Sequence, residues 1–87
     1  MISKEVKINN KTGIHARPAS IIVNIANKFD AEIKLLHGNK EANLKSIISI
    51  MSLAIGDGEV ITIQTDGKDE AKALEEIIDA IKHKMKG

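Results

Sequence analysis

The sequence contains no cysteine, tryptophan or tyrosine, and its single aromatic side chain is Phe29. Without cysteine, neither a disulfide framework nor a thiolate metal site can form, which fits a reducing cytoplasm. The scarcity of aromatics removes the stacking platform used to hold single-stranded nucleic acid. No sign of charge dominates: 13 basic and 12 acidic side chains leave a formal charge of +1. Direct binding to nucleic acid or another polyanion is therefore not expected. The longest strongly apolar stretch, Ile47 to Ile55, is too short to span a membrane, so no membrane insertion is expected. Met1-Ile2-Ser3-Lys4-Glu5 leads into alternating polar residues, unlike a signal peptide. The three histidines, His15, His37 and His83, are too scattered for a zinc motif, and no metal or cofactor is expected.

What is present is an ordinary globular composition, 43% hydrophobic and 29% charged, well away from the disordered class. Its 87 residues suffice for one domain, read here as 1–87 without linker or internal repeat. A chain of this size buries only about 60–65% of its unfolded surface, so the core must be compact.

Periodicity divides the chain into elements. Ile2, Val6 and Ile8 alternate with Ser3, Glu5 and Lys7, which predicts a half-buried strand. Turn formers Asn9 to Gly13 break it. Ala19, Ile22, Ala26 and Phe29 then recur three or four apart, predicting an amphipathic helix from Ala16 with Pro18 in its first turn. Ala31, Ile33 and Leu35 predict a second strand, His37-Gly38-Asn39-Lys40 a hairpin turn, and Ala42 and Leu44 a short third strand. Ser46 stands near the N-cap of a short helix drawn from Ile47 to Ile55, although its β-branched residues would also suit a strand. Val60 to Thr65 predicts a fourth strand. Leu74, Ile77, Ile78, Ile81 and Met85 form a helical stripe, with Glu70 in its first turn and Lys82, Lys84 and Lys86 in its last, an order that suits the helix dipole. His37 and His83 are expected to face solvent. The order β-α-β-β-α-β-α predicts an α+β fold: a four-stranded, mostly antiparallel sheet covered on one face by three helices.

The chemistry concentrates at Gly13-Ile14-His15-Ala16-Arg17-Pro18. Gly13 permits a tight turn between strand and helix. His15 then lies at the helix mouth, where unpaired N–H groups and the positive end of the dipole favour an anion. Arg17 adds a planar donor fork suited to phosphate oxygens. Neutral imidazole is nucleophilic, and an ordinary value near ~6.5 leaves it largely neutral at cellular pH. Dipole contacts of roughly 0.3–1 kcal/mol each would hold a labile phosphoryl group without trapping it. This pattern points to a histidine that carries a phosphoryl group.

This run, with Asn43-Leu44-Lys45-Ser46 and Met51-Ser52-Leu53, resembles HPr, the histidine-containing phosphocarrier family of the bacterial sugar phosphotransferase system. The resemblance covers the whole chain and its element order matches the family's open-faced sandwich. It implies that His15 accepts a phosphoryl group on Nδ1 from phosphorylated enzyme I and passes it to the A domain of a sugar-specific enzyme II. It implies a covalent carrier rather than a catalyst, with Arg17 steadying the phosphate and Ala16, Arg17 and Pro18 forming its binding turn. Ile47, Ile48 and Met51, with Ser20 and Lys45, would make the docking patch. Ser46 matches the serine that an HPr kinase/phosphorylase modifies in Gram-positive relatives, where the product acts as a corepressor with catabolite control protein A. A mainly regulatory interaction protein is therefore the alternative. Ser49 and Ala54 stand where many relatives have glycine. An acylphosphatase-like hydrolase has a similar element count, but its phosphate loop is missing. A cytoplasmic monomer is expected.

Overall fold

The computed structural model describes residues 1–84. Its elements are β1 (Ile2–Lys7), α1 (Ala16–Ala26), β2 (Glu32–His37), β3 (Lys40–Asn43), α2 (Ile47–Met51), β4 (Val60–Asp66) and α3 (Glu70–His83). The strands form one sheet in the order β1-β4-β2-β3, and every pairing is antiparallel. The three helices pack on one face and meet the sheet through Val6, Ile33, Leu35, Ile61 and Ile63, all buried. Ile22, Ile50 and Ile77 close the core from the helix side with no exposed surface. Each such side chain contributes about 1.5–3 kcal/mol on leaving water.

The register fixes which end of the sheet each loop occupies. Lys7, at the end of β1, faces Val60 at the start of β4, while Ile2 faces Thr65. Glu32, at the start of β2, faces Asp66. The loop that follows β1 and the hairpin that follows β2 therefore share one end. The β3–α2 junction lies at the other, since Asn43 faces Lys34 near the start of β2. The hairpin loop is Gly38-Asn39, and Gly38 takes a positive φ of 64° at its first position, which matches the strand twist.

Three details depart from the pattern in the sequence. Ile2 is exposed and Ile8 is fully buried just beyond β1, so Val6 alone within that strand reaches the core. The edge position of β1 leaves the strand's first residues uncovered. The helix drawn to Ile55 stops at Met51, because Leu53 and Ala54 donate to carbonyls three residues back and Ala54 then takes a left-handed φ of 52°. Leu53 and Ile55 are buried all the same, in the turn rather than the helix. His37 is half-buried against Glu59 instead of facing solvent. Met85 and Lys86, placed at the end of the last helix by the sequence, lie outside the described residues.

Candidate functional site

The segment from Ile8 to His15 is held at both ends. The Ile8 N–H donates to the Glu59 carbonyl (2.9 Å) and the Ile8 carbonyl accepts from Gly58 N–H (2.7 Å). Buried Asn10 shapes the turn: its Oδ1 accepts from the Thr12 backbone and hydroxyl, and its carbonyl accepts from Gly13 N–H. Gly13 has φ 68°, and a Cβ there would run into the Ile55 carbonyl. Glycine is thus required twice, by backbone conformation and by space. Ile14 is buried and donates its N–H to the same Ile55 carbonyl at 3.0 Å.

His15 follows as the N-cap of α1, in extended backbone at φ −106° and ψ −167°. Its carbonyl accepts the first helical hydrogen bond, from Ala19 N–H at 3.0 Å. Its imidazole makes no capping bond and is half-buried. The first N–H groups of any helix lack an intrahelical acceptor. Pro18 has no N–H to leave unpaired, so the free donors of this turn are those of Ala16 and Arg17. Pro18 is buried and locks the turn. Grouped with the phosphate-binding residues on sequence, it contributes rigidity and no hydrogen bond. Arg17 is exposed and enters no ion pair among the described residues, so its guanidinium is available to a ligand. Ser20 lies one turn further along α1, half-buried. His15 thus directly precedes two residues whose backbone donors have no helical acceptor, with the exposed Arg17 two positions along, an arrangement whose chemistry suits a tetrahedral dianion.

Ser46 caps α2. Its Oγ accepts from Ser49 N–H at 3.2 Å, and its carbonyl accepts from Ile50 N–H. Ser49 Oγ accepts from Asn43 N–H at 2.9 Å, tying the β3–α2 junction to the helix. A glycine at 49 would lack that tie. On the outer surface of α2, Ile47, Ile48 and Met51 are 37%, 83% and 42% exposed, a cluster of uncovered apolar side chains on a helix of five residues. Lys45 is not part of a free charged rim: its Nζ donates to the Phe29 carbonyl at 2.7 Å. The structure therefore brings Ile47, Ile48 and Met51 together and assigns Lys45 to the α1–β2 connection.

Two groups escaped the sequence reading. The Glu59 carboxylate accepts from Gly56 N–H and lies 2.8 Å from His37 Nε2. The Asp69 carboxylate accepts from the N–H groups of Asp30 and Ala31, both at 2.9 Å, and these bonds hold it below the usual carboxylate range. The His37–Glu59 and Asp69 contacts close over sequence distances at which no local spacing speaks.

His15 does not sit in a cavity. One hollow of about 400 Å³ is lined by Lys34, Glu41, Asn43 and Lys45, at the other end of the sheet. Among the described residues no group of three or more histidine, cysteine, aspartate or glutamate side chains could hold a metal. No helix of the described residues is long and apolar enough to cross a membrane. The site is an open surface that a second protein can cover.

With this geometry, comparison with known proteins is specific. A family model described as the PTS HPr component phosphorylation site matches residues 2–83. The chain is 47% identical over 78 residues to the HPr-like protein Crh of Halalkalibacterium halodurans, an alignment covering 90% of this chain and 93% of the other. The crystal structure of HPr-C-His from Thermoanaerobacter tengcongensis superposes with a TM-score of 0.92 at 42% identity, covering 97% of this chain and 94% of that one. Crh of Bacillus subtilis, solved as a dimer with a swapping domain, superposes with a TM-score of 0.77 at 38% identity, covering 94% of each chain. The chain belongs to the HPr family of the phosphotransferase system.

Proposed function

We propose that this member of the HPr family is a phosphoryl carrier that works through His15. The observation that carries the proposal is an N-cap imidazole that caps nothing, beside the free N–H groups of Ala16 and Arg17. In the proposed cycle, Nδ1 of neutral His15 attacks the phosphorus held by phosphorylated enzyme I. The bond to the donor breaks as the N–P bond forms. The phosphoryl oxygens then lie against the two N–H groups and the Arg17 guanidinium. Transfer to the A domain of a sugar-specific enzyme II reverses these events with a new acceptor. The carrier emerges unchanged, which makes it a covalent intermediate of a cytoplasmic relay rather than an enzyme.

Both partners would dock on Ile47, Ile48 and Met51, with Arg17 and Ser20 at the edge. A small apolar patch with little surrounding pairing suits complexes that must form and separate quickly. The working species proposed is a monomer, in which this patch stays open. The swapped dimer belongs to the Bacillus subtilis relative.

A second reading is favoured by the identity to Crh and by the half-exposed Ser46 at the head of the patch. In it, a kinase of the HPr kinase/phosphorylase kind modifies Ser46, and the product acts with a repressor such as catabolite control protein A. A phosphoserine adds about −1.5 to −2 charges at the head of α2. It can accept the same Ser49 N–H that Oγ now accepts, so the fold persists while the docking surface changes sign.

One experiment separates the two. With phosphoenolpyruvate and enzyme I, the wild type should gain an acid-labile phosphohistidine and His15→Ala should stay at background. Ser46→Asp should gain label more slowly, by about tenfold if the added charge costs docking about 1.4 kcal/mol. An unlabelled wild type, or equal label on His15→Ala, would refute the carrier reading. Label from ATP on Ser46 with none on His15 would establish the regulatory one alone.

A further inference from the structure

We propose that Glu59 is a positioning residue for His15, a role that rests on the carrier reading. One peptide unit, Ile55–Gly56, joins the two residues. Its N–H donates to the Glu59 carboxylate. Its carbonyl accepts from Ile14 N–H at 3.0 Å, one residue before His15. A trans peptide is planar, with N–H and C=O pointing in opposite directions. Fixing the N–H therefore aims the carbonyl. An anionic acceptor on the N–H also polarises the unit and strengthens its carbonyl as an acceptor.

Four further contacts make this a built arrangement. The Glu59 backbone is itself pinned, since its carbonyl accepts from Ile8 N–H and its N–H donates to the Gly56 carbonyl. The second carboxylate oxygen lies 2.8 Å from His37 Nε2, so the hairpin holds the side chain in place. Gly13 lies so close to Ile55 and Gly56 that no Cβ fits between them. The His15 loop thus rests on this peptide by packing and by hydrogen bond, and Glu59 sets the peptide's orientation. Glu59 touches neither the imidazole nor the proposed phosphoryl position. It acts through Gly56, Ile55 and Ile14.

The test uses the full chain with phosphoenolpyruvate and enzyme I, in the variants Glu59→Ala, Glu59→Gln and, as a charge control on the same hairpin, Glu41→Gln. Glu59→Ala should lower kcat for phosphorylation of His15 by about tenfold, short of the roughly 10²-fold that a 1 Å misplacement can cost. The KM for enzyme I should hold, because Arg17, Ile47, Ile48 and Met51 are untouched. Glu59→Gln keeps an oxygen for Gly56 N–H and should return kcat to within about twofold of wild type, since the acceptor geometry survives. Glu41→Gln should behave as wild type. In ¹⁵N-labelled protein, the Ile14 and His15 amide resonances should move in Glu59→Ala and return in Glu59→Gln. A wild-type kcat in Glu59→Ala, a raised KM at unchanged kcat, or a Glu59→Gln as slow as Glu59→Ala would each overturn the proposal. If the wild type takes no label, the carrier reading falls, and the amide shifts alone decide whether Glu59 orients the loop. Glu59 is half-exposed and its backbone bonds do not depend on its side chain, so all variants should retain the fold.

Discussion

Helices α1 and α2 both begin at a capping residue in extended backbone, yet the two caps are wired in opposite ways. Ser46 Oγ accepts from Ser49 N–H and so satisfies one donor of its own helix end. The corresponding position of α1 is Pro18, which has no N–H, and the His15 side chain accepts nothing. One capping side chain is spent on its own helix; the other is left free for a group from outside. The two lie at opposite ends of the sheet, and α2 runs from Ser46 back toward the Ile55 turn that supports His15. Five helical residues span only about 7 Å. Under the proposed carrier function, a partner seated on Ile47, Ile48 and Met51 would lie beside Ser46, so a charge at Ser46 would bear on docking without moving His15.

Replacing each capping residue by alanine sharpens this contrast most directly. Ser46→Ala removes a bond that is present and should cost ~1 kcal/mol. In a domain of this size that lowers Tm by about 4–8 °C. His15→Ala removes no capping bond and should stay within about 0.5 kcal/mol of wild type. Thermal unfolding followed by circular dichroism measures both. Equal losses would mean that the caps are equivalent and that the His15 imidazole supports its helix after all.

The next effect is smaller and lies between the caps. Ala54 holds a left-handed φ of 52° where α2 ends and the chain turns toward the His15 loop. Such a conformation costs a residue with a Cβ roughly 1–2 kcal/mol. Glycine removes that cost but gives up about 0.4–1 kcal/mol through its freer unfolded chain. Ala54→Gly should therefore stabilise the fold by up to about 1.6 kcal/mol, read as a raised denaturation midpoint at unchanged slope. A loss of stability would show that the Ala54 methyl makes a contact worth more than the strain.

Much of this comparison was legible in the sequence. Gly13, Pro18 and the apolar spacing of Ala19, Ile22 and Ala26 mark a strand-to-helix junction by local rules, and Ser46 before an apolar run is a cap signal. What stayed hidden was every feature decided by distant partners. Lys45 reads as a surface cation until the Phe29 carbonyl takes its ammonium. Glu59 reads as one more turn carboxylate until Gly56 and His37 meet it. Ile2 obeys the strand period but lies at the very start of an edge strand and stays exposed. Alternation tells which face a side chain takes, and only packing tells whether that face is covered.

The smallest predicted effect is a pH dependence, and it falls on one side of the comparison. Asp69 accepts from the N–H groups of Asp30 and Ala31, with Lys45, the neighbour of Ser46, attracting it further. These contacts hold its carboxyl below the usual 3.8. Glu70 is likewise lowered from 4.5, by Gly67 N–H first and then by the amino terminus. A carboxyl lowered on folding contributes stability above its unfolded value and loses it as pH falls through the folded one. The fold should therefore weaken below pH 3.8, and Asp69→Asn should flatten that acid limb in a Tm-against-pH series. The amino terminus has the opposite sign: it is raised from 8.0 by Glu70, so its contribution is full below 8.0 and fades as pH climbs through the raised value. Both carboxylates sit where β4 enters α3, at the Ser46 end of the sheet, while at the other end the Ile14 N–H is held directly by the Ile55 carbonyl. Amide protection factors should accordingly fall first at Asp30 and Ala31 as pH is lowered, and last at Ile14. An Ile14 amide that opened before them would place the acid-sensitive region at the His15 cap instead.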